Sequence, residues 1–261
     1  MKNKDIAEQF YFNGYLSGKI LDDNEKLFKN FYNILQNIFN SNIEDKNFYL
    51  KQIKNDQYDL FPNTWQLNQI FIDILLKSNL IDILNLAANQ NLILTDIRTR
   101  LIKKSKKTFW GYIAPHRDSY YQKDKWMGPK LPSYKLIFYP NFENMNAEVM
   151  RIFPGSHRKM SKIKNGSLSD RVQAFYEPYK KIFQTYNEFC FFIGTLRHWP
   201  LKEKSEKGGL RIIYVFRDSR YLDDFKNNDL TKTFIDKIKD RNNKINNNTD
   251  LFEINKSGIY Y

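Results

Sequence analysis

The chain has 261 residues, 41% of them hydrophobic and 16% aromatic, with 42 Lys and Arg against 29 Asp and Glu for a net charge of +13. This apolar content excludes an intrinsically disordered chain and is enough for a substantial core. The basic excess is scattered through a Lys- and Asn-rich sequence, so it reads as dispersed surface charge and not as a nucleic-acid-binding stripe. The single cysteine, Cys190, excludes an internal disulfide and fits a reducing compartment. No stretch reaches the roughly 18 apolar residues of a membrane span, and the first residues read as an amphipathic helix, not a signal core. A cytoplasmic protein without a membrane partner is expected.

Residues 1–90 read as mainly helical support. Ile6 to Tyr11 makes a short amphipathic helix stopped at Asn13-Gly14. Leu21 to Ile43 carries Leu27, Phe28, Phe31, Leu35 and Ile38 near helical spacing, with Asp22 or Asp23 as the N-cap. Pro62 suits the first turn of a helix running through Leu76. Leu80 to Ala88 reads as a further helix ending at Asn89-Gln90-Asn91.

The pattern then changes to strands over 91–220. Leu92–Ile102, Trp110–Ile113, Tyr134–Tyr139, Glu148–Phe153, Glu188–Ile193 and Leu210–Phe216 are rich in β-branched and aromatic residues and are bounded by turn signals. Asn165–Lys181 reads as an insertion with a helical part. A C-terminal extension over 221–261 carries one helix near Leu230–Lys239 and a low-complexity loop over Asn242–Asn248. Short strands at this spacing predict an antiparallel sandwich or barrel. The expectation is one α+β domain over 1–261 with a mainly β core.

The chain has only three histidines. His116 lies in Pro115-His116-Arg117-Asp118, His157 in Pro154-Gly155-Ser156-His157, and His198 in Gly194-Thr195-Leu196-Arg197-His198-Trp199. His116 and Asp118 are two apart, so on extended backbone they share a face. With His198 they supply two imidazoles and a carboxylate, the set that binds non-haem Fe(II) and leaves positions open. Arg211 opens the apolar run Ile212-Ile213-Tyr214-Val215-Phe216, and a planar guanidinium there matches a carboxylate bidentately. There is no P-loop, no Gly-rich dinucleotide turn and no Ser nucleophile elbow.

The order of these landmarks resembles the phytanoyl-CoA dioxygenase-like branch of the Fe(II)/2-oxoglutarate-dependent oxygenases. The residues that carry the resemblance are Gln9-Phe10-Tyr11-Phe12-Asn13-Gly14-Tyr15-Leu16, His116-Arg117-Asp118, Arg151-Ile152-Phe153-Pro154-Gly155-Ser156-His157-Arg158, His198 and Arg211. One departure is Asn146-Ala147-Glu148, where the family often has Asn-Gly. The resemblance implies a double-stranded β-helix, or jelly roll, with helices packed on one sheet. It implies His116, Asp118 and His198 as iron ligands, Arg211 as the clamp on 2-oxoglutarate, Thr195 as an assistant to that clamp, and dioxygen as co-substrate. Ser156 and His157 are expected to be structural.

An intact Asp118 favours hydroxylation or desaturation over halogenation, since related halogenases have a small residue at that position. Arg98, Arg100, Tyr120, Tyr121, Trp126 and Arg151 are expected to border the site as a cationic, aromatic mouth for a small polar or anionic metabolite. The competing readings are a nucleic-acid-directed oxygenase and a non-catalytic jelly-roll binding protein.

Overall fold

The computed structural model describes residues 3–19, 29, 33, 48–54, 57–62, 65–102, 115–122, 125–127, 131–139, 147–159, 167–184, 188–201 and 209–247. In chain order these form α1 (Asn3–Asn13), β1 (Tyr15–Lys19), β2 (Phe48–Lys54), β3 (Gln57–Pro62), α2 (Trp65–Lys77), α3 (Leu80–Ala88) and β4 (Leu92–Ile102). There follow β5 (Tyr120–Gln122), β6 (Lys125–Met127), β7 (Tyr134–Phe138), β8 (Ala147–Ile152) and α4 (Leu168–Tyr176). The last elements are β9 (Lys180–Gln184), β10 (Glu188–Ile193), β11 (His198–Pro200), β12 (Gly209–Asp218) and α5 (Asp229–Asn247).

Among the described residues all the paired strands are antiparallel. Seven lie in the order β1-β10-β7-β12-β4-β3-β2, three in the order β11-β8-β9, and β5 and β6 make a separate hairpin. Alternation along β12 decides the layering. Ile212, Tyr214 and Phe216 join Leu94, Leu136, Phe138, Phe189 and Phe191 in a core shared with the helices, where Phe10, Ile74, Leu84 and Phe234 meet them. The intervening Ile213 and Val215 face the other way. They pack with Ile137, Tyr139, Cys190 and Phe192 of the large sheet against Met150, Ile152 and Ile182 of the small one. The result is three layers: helices, large sheet, small sheet. Each large-sheet strand in the middle is apolar on both faces, which is why its sequence reads as a near-continuous hydrophobic run.

The helix boundaries have local causes. In α3, Leu80, Ile81, Leu84 and Ala87 form one buried stripe. Asn79 and Asn89, at φ 53° and 52°, bracket it in the left-handed region, which Asn tolerates better than most residues. Gly14 has φ 78°, and a Cβ there would lie 2.4 Å from His157 Nδ1. Glycine is therefore needed twice over where α1 turns into β1.

The structure differs from the sequence expectations in three places. Among the described residues, the first ninety supply three strands of the large sheet besides their helices. Pro62 closes β3 opposite Phe48, and the helix starts at Trp65. Residues 242–247 continue α5 as helix instead of looping, because a helix already anchored by Phe234 extends at little cost. Of the expected helix Leu21–Ile43, only Lys29 and Asn33 are described, both helical. The expected strand Trp110–Ile113 lies outside the described residues, as does Asn248. No helix among the described residues is long and apolar enough to cross a membrane.

Candidate metal centre

Short backbone ties bring the three candidate ligands together. His116 and His198 face each other across an antiparallel bridge. Each N–H donates to the other's carbonyl, at 3.0 and 2.9 Å. Side chains of such a directly opposed pair project to the same side, and the two imidazole centroids are 4.4 Å apart. The Asp118 N–H donates to the Gly194 carbonyl at 3.0 Å, and the Gly194 N–H donates to the Ser133 carbonyl at 2.7 Å. A Cβ on residue 194 would stand 2.7 Å from Ser133 Oγ. The close approach therefore requires Gly194, and through it Asp118 is tied to the turn that precedes β11.

His198 lies opposite Ile152 of β8, on the face turned toward the large sheet, with its ring 4.9 Å from that of Phe192. His198 Nε2 is 3.8 Å from Asp118 Oδ2, and His116 Nε2 is 3.8 Å from Asp118 Oδ1. The ligand atoms of all three lie within 4.8 Å of one another; among the described residues this is the one such group.

Electrostatics prepare the group for a cation. Burial, with the neighbouring His116 adding to it, holds His198 neutral by lowering its pKa to about 3. Its Nδ1 lies 3.0 Å from the Leu196 carbonyl. A proton on Nδ1 donates there and leaves the Nε2 lone pair facing Asp118. For Asp118, burial is the largest influence and opposes ionisation. It is outweighed by Lys135, His198 and His116 together, so the carboxyl sits well below its ordinary range. Lys135 Nζ is 2.7 Å from Asp118 Oδ2. Two imidazoles, one of them held neutral by burial, and one carboxylate at this spacing fit a divalent first-row metal that keeps exchangeable positions.

The other residues singled out from sequence are distributed unequally. Arg211 is 3% exposed and adjoins Ile213 and Val215 on the inner face of β12, its guanidinium 6.0 Å from the Tyr139 ring. Thr195 is half-buried in the turn between β10 and β11. Arg98 is ion-paired to Asp96 at 2.6 Å, and Arg100 is the register partner of Arg211. Tyr120 begins the small hairpin in which Tyr121 and Trp126 are register partners.

Arg151 is not brought to the site. It pairs in register with Trp199 while His198 pairs with Ile152, so alternation turns it to the opposite face of the small sheet. There it lies over the Tyr179 and Trp199 rings at 4.5 and 5.1 Å and pairs with Glu148 at 2.5 Å. His157 stands apart from the three ligands. Its Nε2 is 3.0 Å from the Tyr11 carbonyl, which ties the Pro-Gly-Ser-His turn to α1.

Sequence reasoning did not single out Lys135, or Asp170 of α4 and Glu177 just past its end, which face Arg117 and Arg197. One signal was available: an arginine adjoins a candidate ligand in both segments, and on extended backbone a neighbour points away from the site and into the protein.

No protein-family model and no curated protein matches the chain. Similarity appears in three dimensions. The non-heme alpha ketoglutarate dependent epimerase SnoN from nogalamycin biosynthesis superposes with a TM-score of 0.60 at 12% identity, over 83% of each chain. AviO1 from Streptomyces viridochromogenes Tue57 gives 0.55 at 14% identity, over 83% of this chain and 95% of its own. HygX from Streptomyces hygroscopicus, solved with nickel and 2-oxoglutarate bound, gives 0.52 at 15% identity, over 81% of this chain and 87% of its own. At identities this low the superpositions show a shared fold.

Proposed function

We propose that this protein is an Fe(II)/2-oxoglutarate-dependent oxygenase that hydroxylates a C–H bond of a small polar metabolite, releasing succinate and CO2. The observation that carries the reading is the convergence of His116, Asp118 and His198 within 4.8 Å. It occurs in a fold shared with an epimerase described in complex with Fe3+ and alpha ketoglutarate and with HygX. In this reading the two packed sheets are the halves of a jelly roll, and the chain falls in the phytanoyl-CoA dioxygenase-like branch.

The bound iron and 2-oxoglutarate would supply the oxidising power for attack on a C–H bond. The chain's own residues have the other tasks. His116, Asp118 and His198 would hold the metal. The Leu196 carbonyl fixes the His198 tautomer. Arg211, buried on the inner face of β12, would take the distal carboxylate of 2-oxoglutarate, and Thr195 is the candidate to assist it. Lys135 offsets the Asp118 charge and keeps that carboxylate oriented. The inner faces of the sheets, lined by Ile137, Tyr139, Ile152, Phe192 and Ile213, exclude water from the reacting groups. Arg98, Arg100 and Tyr120 are candidates for recognising a polar or anionic substrate, and Tyr121 and Trp126 for stacking on it.

The test is a substrate panel read out by succinate release, with product mass showing one added oxygen atom. Succinate formation that requires Fe(II) and a panel member, and that disappears in Asp118→Ala, is expected. A product isomeric with the substrate would replace hydroxylation by epimerisation, and one that has lost hydrogen without gaining oxygen would replace it by oxidative cyclisation or desaturation. No iron-dependent succinate with any substrate, or turnover unchanged in Asp118→Ala, would overturn the assignment.

A further inference from the structure

Each ligand-bearing segment carries an arginine beside a candidate ligand, and both arginines run to the same carboxylate. Arg117 stands between His116 and Asp118, and Arg197 precedes His198. The two are 5% and 1% exposed, and Asp170 of α4 is 0% exposed. Arg197 Nη2 donates to Asp170 Oδ1, and its Nη1 donates to Glu177. Arg117 Nη1 is 3.8 Å from Asp170 Oδ1. Gln173 Oε1 accepts from Arg197 Nη2 at 3.4 Å, and Ser156 Oγ accepts from the Arg197 N–H at 2.9 Å. The charges balance, two guanidiniums against two carboxylates, which is what allows the group to be buried.

The helix that carries Asp170 is itself fixed. Ser167 caps α4 by accepting from the Asp170 N–H at 3.2 Å, and Ala174 packs against Phe153 and Trp199.

We propose that Asp170 is a positioning residue: one carboxylate on α4 locks the 115–118 segment and the 196–198 segment together, and so sets the affinity of the site for metal. The backbone bridge between His116 and His198 fixes how far apart the segments are. The pairing of β11 with β8 and the Asp118–Gly194 hydrogen bond set the backbone on each side. Arg117 and Arg197, on the side away from the ligands, add a side-chain tie between the two segments, since the Asp170 carboxylate accepts from Arg197 and lies 3.8 Å from Arg117. This inference rests on the metal-centre reading above.

The test uses full-length protein and Mn(II) alone, titrated at 10 °C, with circular dichroism and metal-free melting recorded in parallel. In Asp170→Asn the dissociation constant is expected to rise by about tenfold or more, the range seen when an outer-shell support of a metal site is lost, while circular dichroism at 10 °C is unchanged. If that variant does not fold, Arg117→Met takes its place, since it leaves Arg197 paired to Asp170 and Glu177; the same rise is expected. A double variant should bind no more weakly than the weaker single one, because both act through one contact.

An unchanged dissociation constant with only a lowered melting temperature would overturn the positioning role and reduce the cluster to a structural brace. Failure of the wild-type protein to bind Mn(II) would instead overturn the metal-centre reading on which the inference rests.

Discussion

The buried His198 imidazole should make metal-free stability depend on pH. An unfolded chain takes up a proton at a histidine near pH 6.5. In the folded protein burial lowers the His198 pKa to about 3. Between those values the unfolded state binds the proton and the folded state does not, so stability falls as pH falls. From pH 7.5 to pH 5 the loss amounts to about 2 kcal/mol for this one group, most of it below 6.5. His157, also shifted downward by burial, acts in the same direction. Asp118 and Asp218, both shifted downward, lose their contributions only as pH falls below the ordinary carboxylate value of about 3.8, outside this window.

The assay is urea denaturation of chelator-treated protein at several pH values, beside a His198→Leu variant, which puts an apolar side chain that cannot titrate at this buried position. The wild-type midpoint should fall on acidification, and the variant should lose most of that dependence. A flat wild-type profile, or an equal fall in the variant, would refute the picture of a buried, neutral His198.

Replacing Asp118 with Ala removes the only acidic member of the group and leaves Lys135 facing two imidazoles; Mn(II) affinity measured by titration should drop at least about 100-fold. Arg211→Met should raise the apparent KM for 2-oxoglutarate by about 10-fold or more with a smaller effect on Mn(II) binding, measured separately by succinate formation and titration. Gly14→Ala combines a left-handed backbone with a clash on the His157 ring, and should cost about 2–3 kcal/mol in chemical denaturation; a loss under about 0.5 kcal/mol would contradict the packing. Phe191 is fully buried and stacked on Phe10 at 5.0 Å, so Phe191→Ala should cost about 3–5 kcal/mol in the same assay.

Much of the β core was legible because its strands are nearly continuous apolar runs between turn residues. Leu92–Ile102 and Glu188–Ile193 were read with the bounds the structure gives them. The β2–β3 hairpin was missed. Its lysines, Asp59 and Pro62 mask the alternation, and the helical patterns on either side set the expectation. The ligand candidates could be found because a His-x-Asp pair on extended backbone converges by geometry alone. What no local pattern could supply was partnership across the fold. Lys135 sits in an ordinary strand sequence until the fold sets it against Asp118. Asp170 looks like a helix-start acid until α4 brings it onto two arginines from distant segments. Arg151 failed as a site residue for a related reason: its strand was read correctly, but which face pointed inward was set by pairing with β11.

The most direct test of the central claim is an anaerobic titration of the purified protein with Fe(II) and then 2-oxoglutarate, followed by visible absorption and by metal analysis. One iron per chain is expected, with a new absorption band that needs both components and is missing in His198→Ala. Substoichiometric iron, no band with 2-oxoglutarate, or an identical band in His198→Ala would contradict the account.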